Sequence, residues 1–230
     1  MAKLMCMHQN YDAIIAGGSA FNEFYKEGFN VSEDKLLNYG LPRIDCLLQK
    51  SKEPGSLVYD KFPELKNKKI VYYAPTFRTY GVRGPERLIE ACENEDFALI
   101  VTCHPNQQLD INDSKVYKLD LNEFSNIDIL KVCDYLITDY GSIAIEAAVL
   151  EKRTLYYLYD YDEYITSNGL NLDPKITMPT CAFENPEPII DIIRNDTYDD
   201  NALKMYVDKY LPKELGKSTE LIVDYVMNFI

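Results

Sequence analysis

The segment Ile137-Thr138-Asp139-Tyr140-Gly141-Ser142-Ile143-Ala144-Ile145-Glu146 closes an apolar run with an acid, a glycine and a hydroxyl, then resumes with a lone second acid. If the run is a strand and a helix begins at residue 142, Gly141 and Ser142 stand at the helix start. The first amides of a helix lack internal partners, and its dipole is positive at that end. A phosphate is favoured there; Gly141 lets it approach closely and Ser142 adds a hydroxyl donor. Glu146 lies four residues on, on the same helical face, where a carboxylate could accept bonds from ribose hydroxyls. The alternative is that Asp139 or Ser142 serves only as an N-cap and Glu146 pairs with a Lys or Arg.

Other residues suit the same chemistry. His104, one of only two histidines, follows an apolar run. It can donate to a phosphate or protonate a leaving group, or else it caps a turn before Pro105. In Pro75-Thr76-Phe77-Arg78, the arginine offers charge-assisted bonds to phosphate oxygens, or an ion pair with an acidic neighbour. Arg43 admits the same two readings. His8 reads as a solvated residue near the N-terminus. Asp160-Tyr161-Asp162-Glu163 contains a D-x-D of the kind that holds hard metals, but acids after a strand favour capping the next helix. Gly216-Lys217-Ser218-Thr219 lacks the preceding strand of a P-loop. No metal site is expected.

The elements that must position these residues follow from pattern. β-branched and aromatic runs predict strands at 11–16, 69–74, 97–103, 116–119, 135–138 and 154–158. Helices are predicted at 20–27 (with Ser19 as N-cap), 83–94, 127–133, 142–150, 186–194 and 219–229. A helical turn is expected at 32–35, and a connector with short helical pieces at 50–69. From 69 to 158 strands alternate with helices, and several strands are continuously apolar. This is the doubly wound parallel α/β pattern, whose ligands bind beyond the carboxyl ends of the strands. The segments at Thr76, His104 and Asp139 all fall at such ends.

Composition narrows the partners. The chain has 230 residues, 47% of them hydrophobic, so it can bury a substantial core. A net charge of −13 argues against nucleic acid, while leaving room for a local site for a small phosphate. None of the six cysteines forms a C-x-x-C pair. Cys103 and Cys133 sit in apolar runs, where a thiol behaves as a small hydrophobe, and a reduced cytoplasmic setting is expected. The opening MAKLMCMHQN has no signal-peptide character, and no 18-residue apolar run occurs.

Six short segments, taken in order, resemble the CDP-glycerol glycerophosphotransferase family of teichoic-acid primases and polymerases. They are Gly40-Leu41-Pro42-Arg43-Ile44-Asp45, Tyr73-Ala74-Pro75-Thr76-Phe77-Arg78, His104-Pro105, Leu136-Ile137-Thr138-Asp139-Tyr140-Gly141-Ser142-Ile143, Tyr159-Asp160-Tyr161-Asp162-Glu163-Tyr164 and Gly216-Lys217-Ser218-Thr219-Glu220. The resemblance implies a GT-B-like α/β fold. Residues 1–60 would be a remnant of an N-terminal, acceptor-side domain with its connector. Residues 61–230 would form one doubly wound, Rossmann-like nucleotide-binding domain with a C-terminal helix. It also implies a CDP-glycerol or CDP-polyol donor, no further cofactor, and a polymer or lipid-linked acceptor. The acceptor hydroxyl would attack the donor's β-phosphorus and release CMP. His104 is the implied catalytic residue, and Thr76, Arg78, Asp139, Gly141, Ser142 and Glu146 the implied substrate-binding set. Peripheral association with the inner face of the cell membrane, through a missing N-terminal region or a partner chain, is part of the same expectation.

The sequence departs from the family pattern in places. Gly141 replaces a serine, Glu146 stands where Asp is usual, and Met178-Pro179-Thr180 stands where Pro-Gly-Pro is usual. The chain has no tryptophan for the family's N-terminal Trp-His-Gly motif. Glu146-Ala147 is instead similar to GT-B enzymes that use UDP-sugars. A UDP-sugar glycosyltransferase or epimerase, and a non-catalytic nucleotide-binding module, are therefore the alternative expectations.

Overall fold

The computed structural model describes residues 7–48, 56–76, 78, 84–102 and 116–229. Two compact units divide the chain, Met1–Lys50 with Met205–Ile230, and Ser51–Lys204.

In the first unit β1 (Ile14–Ile15) pairs in parallel with β2 (Leu36–Leu37). Ser19 does not cap an α-helix as expected. It opens a 3-10 turn, Ser19–Phe21, with no side-chain cap, and the α-helix runs Asn22–Phe29. The displacement follows from the tighter bond of the turn, Phe21 N–H to Gly18 C=O at 3.0 Å. Helix Pro42–Leu48 begins on a proline, which suits a first turn, and buries Ile44 and Leu47. Helix Ser218–Phe229 packs against it. Asp45 joins the two: its carboxylate accepts from Ser218 N–H at 3.1 Å, Thr219 N–H at 2.6 Å and the Thr219 hydroxyl at 2.7 Å. Gly40 is required at this junction. Its φ is +79°, and a Cβ there would lie 2.7 Å from Ser218 Oγ.

The second unit carries the doubly wound sheet. Its strands are β3 (Ile70–Tyr73), β4 (Ala98–Val101), β5 (Val116–Lys118), β6 (Tyr135–Thr138), β7 (Arg153–Tyr157) and β8 (Ala182–Phe183), all parallel, in the order β5-β4-β3-β6-β7-β8. β3, β4 and β6 are buried along their whole length, as the continuous apolar runs predict for a sheet covered on both faces. Tyr72, Leu136 and their neighbours face the helices Asn126–Val132 and Ile143–Val149, with Val58 and Leu65 completing that layer. The alternate residues face the other way. There Tyr135 donates to Asp196, just past helix Pro186–Asn195, which packs on β7, β8 and helix Gly84–Cys92. The tyrosine-rich, tryptophan-free composition finds its use here: Tyr72, Tyr73, Tyr135 and Tyr157 are among the largest fully buried side chains.

Five of the predicted strands and the helices between them occupy the predicted positions to within a few residues. β2, β8 and the helices Pro42–Leu48, Pro174–Thr177 and Asp200–Tyr210 were not predicted, and Tyr161–Asn168 was implied only as the helix that Asp160 would cap. The domain expectation and the observed units also differ. Residues 205–230 cluster with the N-terminal segment rather than with the sheet, because helix Pro42–Leu48 and Asp45 hold the C-terminal helix. Cys133 is buried as expected, and burial pushes its thiol up to about 12; Cys103 lies outside the described residues.

Candidate active site

The chain winds outward from β3 through β4 and β5, then returns to the other side of β3 as β6. Such a reversal opens a crevice at the carboxyl ends of the two central strands. Tyr73 and Ile137 are in register, so the segments that follow them leave the sheet side by side. Ala74 N–H donates to Ile137 C=O at 2.9 Å, and the Thr138 hydroxyl donates to Ala74 C=O at 2.9 Å.

Asp139 binds these two segments together. Its buried carboxylate accepts from Thr76 N–H at 3.0 Å, the Thr76 hydroxyl at 2.5 Å and Tyr140 N–H at 2.6 Å. Arg78 donates to it from Nη2 at 3.0 Å. The same guanidinium donates to Asp160, which follows β7, from Nε at 2.6 Å and Nη2 at 3.2 Å. From Nη1 it reaches Thr76 C=O at 2.8 Å. Of the two sequence readings of Arg78, the structure therefore displays the ion pair, in buried form. Burial opposes the charge on Arg78, but Asp160 and Asp139 outweigh it and hold the guanidinium protonated beyond its ordinary range. Thr76 and Asp139, expected on the ligand, likewise direct their polar groups at each other.

Asp160 is a correction. It was expected to cap the following helix, and it does stand at the N-cap of Tyr161–Asn168, but its side chain gives that helix no bond. A two-pronged, charge-assisted pair with Arg78 takes the carboxylate instead. Asp162 is exposed on the first turn of that helix, so the D-x-D does not converge on one point. Tyr140 stacks on Tyr164 with ring centroids 3.7 Å apart, and its hydroxyl lies 3.4 Å from Asp160. Burial pushes the Tyr140 phenol up strongly, with Asp160 and Asp139 adding to the effect. Asp160, Tyr140 and Tyr164 were missed as site residues. The available signal was position, since Asp160 ends an apolar strand as Thr76 and Asp139 do.

The remaining predicted residues line the same segment. Gly141 is closely fitted: a Cβ would lie 3.3 Å from Thr76 Oγ1 and 3.5 Å from Thr138 Oγ1. Ser142 is exposed and makes no side-chain cap to helix Ile143–Val149; Asp139, turned toward Thr76 and Tyr140, makes none either. Glu146 is half-buried in the first turn of that helix. His104 lies outside the described residues. Arg43 belongs to the other unit, exposed on helix Pro42–Leu48. His8, expected to be solvated, instead stacks on Phe29 with centroids 3.9 Å apart, because an imidazole loses little by covering an aromatic face. Among the described residues no group of three or more His, Cys, Asp or Glu is placed to hold a metal ion, and no helix is long and apolar enough to cross a membrane.

The family model for CDP-glycerol:poly(glycerophosphate) glycerophosphotransferase matches residues 2–228. The chain belongs to this glycerophosphotransferase family. It is 28% identical to the teichoic acid poly(ribitol-phosphate) polymerase of Bacillus spizizenii over 96% of its own length and 38% of the relative's. It is also 28% identical to the teichoic acid glycerol-phosphate primase of Bacillus subtilis, over 97% of itself and 59% of the primase. The chain thus spans less than two thirds of these relatives. Among solved structures, a variant of the wall teichoic acid polymerase TagF superposes with a TM-score of 0.74 at 19% identity, covering 96% of this chain and 58% of TagF. UDP-GlcNAc 2-epimerase from Neisseria meningitidis superposes with a TM-score of 0.63 at 16% identity, covering 94% of this chain and 62% of that one. These likenesses establish a GT-B-like α/β fold. The glycerophosphotransferase match takes in every strand end of the crevice and both helices that Asp45 joins. In this family member, Met178-Pro179-Thr180 leads through a 3-10 turn, Pro179–Cys181, into β8, and the Thr180 hydroxyl donates to Asp199 at 2.8 Å.

Proposed function

We propose that the chain supplies the nucleotide-binding part of a polyol-phosphate transferase of teichoic-acid or capsule synthesis, with CDP-glycerol or a related CDP-polyol as donor. The observation that carries the reading is the family match across a switch-point crevice built from residues 74–76, 78 and 139–142. In this reading the acceptor hydroxyl attacks the donor's β-phosphorus. The bond from that phosphorus to the bridging oxygen breaks, CMP departs with the oxygen, and a phosphodiester forms as the hydroxyl gives up its proton. Charge on the phosphate oxygens is met by fixed donors, which the Ser142 hydroxyl, the adjacent amides and His104 would supply. Glu146 would accept from the ribose. The donor is the only small molecule required beyond a polymer or lipid-linked acceptor. The reaction would take place in the cytoplasm, at the inner face of the membrane.

The fold of the UDP-GlcNAc epimerase, together with Glu146, favours a UDP-sugar enzyme as the second reading. The two part on product. The assay is CMP release from CDP-glycerol with a glycerol-phosphate-primed acceptor, using the chain alone and the chain joined to the remaining length of the Bacillus subtilis primase. Acceptor-dependent CMP release, lowered about 100-fold or more by His104→Ala, is the expected result. Conversion of UDP-GlcNAc with no CMP from CDP-glycerol would replace this reading with the second.

A further inference from the structure

We infer that Asp160 is a positioning residue for the nucleotide site: it holds Arg78, and through Arg78 it ties the segment after β3 to the segments after β6 and β7. The inference rests on the crevice being a nucleotide site.

Arg78 and Asp160 are 82 residues apart, yet they form a two-pronged pair, with side-chain exposures of only 4% and 1%. The one guanidinium reaches Thr76 C=O beyond β3, Asp139 beyond β6 and Asp160 beyond β7. Its Cζ lies 5.2 Å from the Tyr140 ring centre and 4.8 Å from that of Tyr164. A cation nearly equidistant from two rings stacked 3.7 Å apart sits beside the stack, not on an outer face. Arg78 is thus enclosed by acceptors and rings of the protein. Tyr140, between Asp139 and Gly141, also reaches Asp160. The segment expected to face phosphate is therefore gripped at Asp139 by Arg78 and at Tyr140 by Asp160. Removing Asp160 takes away the two-pronged anchor of Arg78, leaving its bonds to Thr76 C=O and Asp139, and so loosens both grips.

Sign separates positioning from a plain charge effect. The Asp160 carboxylate repels an anionic ligand, so if its charge were all that mattered, Asp160→Asn would tighten nucleotide binding. Positioning demands the opposite. The test compares wild type with Asp160→Asn and Asp160→Glu in the full chain. CMP affinity is measured by calorimetry, and amide exchange at Thr76 and Tyr140 by NMR. We expect Asp160→Asn to weaken CMP binding about tenfold, the scale of one lost charge-assisted bond. Exchange at both amides should accelerate, and Asp160→Glu should recover part of the affinity. Equal or tighter CMP binding by a folded Asp160→Asn, or wild-type exchange rates at both amides, would overturn the inference. If wild type binds no cytidine nucleotide, the nucleotide reading fails by itself and the exchange rates alone decide the grip. If Asp160→Asn does not fold, Tyr140→Phe removes only the hydroxyl contact and must shift both readouts in the same direction, or the inference fails.

Discussion

Two carboxylates face one guanidinium where β3, β6 and β7 end, so the cluster of Arg78, Asp139 and Asp160 carries an excess of negative charge. An anionic ligand beside it would gain little from Arg78, so the proposed phosphate site would rest on amides, the Ser142 hydroxyl and His104. Gly141 sets the clearance in that segment. Thr76 Oγ1, 3.3 Å from where a Cβ would stand, is fixed by its 2.5 Å bond to Asp139 and cannot easily swing aside. Gly141→Ala should therefore destabilise the chain by about 1 kcal/mol, read from urea unfolding. An unchanged midpoint would show that the two segments part freely. Residue type and place in the chain were enough to bring Thr76, Arg78, Asp139, Gly141 and Ser142 to one crevice. They did not reveal what Arg78 binds, because its partner lies 82 residues away and an arginine at a strand end looks the same whether it meets a carboxylate or a phosphate.

The strands were readable wherever both faces are buried, since a continuous apolar run such as Ile70–Tyr73 has one plausible fate. β8 was not, because two half-buried residues carry no period. Long-range caps are similarly silent in sequence. Gly216-Lys217-Ser218-Thr219 resembles an anion loop, but at the start of helix Ser218–Phe229 the anion is the protein's own Asp45. Partial burial works against charge on Asp45, yet the bonds from Thr219 and Ser218 prevail and hold its carboxyl below the ordinary 3.8. A depressed carboxyl contributes stability that is complete above the unfolded value and is lost as pH falls through the lower folded value. Amide protection across residues 218–229 should accordingly weaken below about pH 4, and Asp45→Ala should cost about 1 kcal/mol and flatten that dependence. Protection in Asp45→Ala that still falls with acid as in wild type would assign the effect to another group.

At the scale of the molecule, the chain folds as two compact units, and the C-terminal helix returns to the unit that contains the N-terminal segment. A boundary read along the sequence misses such a return, because it is declared by contacts distant in sequence, those of helix Ser218–Phe229 with helix Pro42–Leu48 and of Asp45 with Ser218 among them. The family match and the six-stranded parallel sheet together make nucleotide binding the property on which the account depends. The most direct test is calorimetric titration of the chain with CMP, CDP-glycerol and UDP-GlcNAc. CMP and CDP-glycerol should compete for one site, UDP-GlcNAc should not displace them, and Ser142→Ala and Glu146→Gln should each weaken both cytidine ligands. A chain that binds UDP-GlcNAc in preference, or no cytidine nucleotide at all, would contradict this reading.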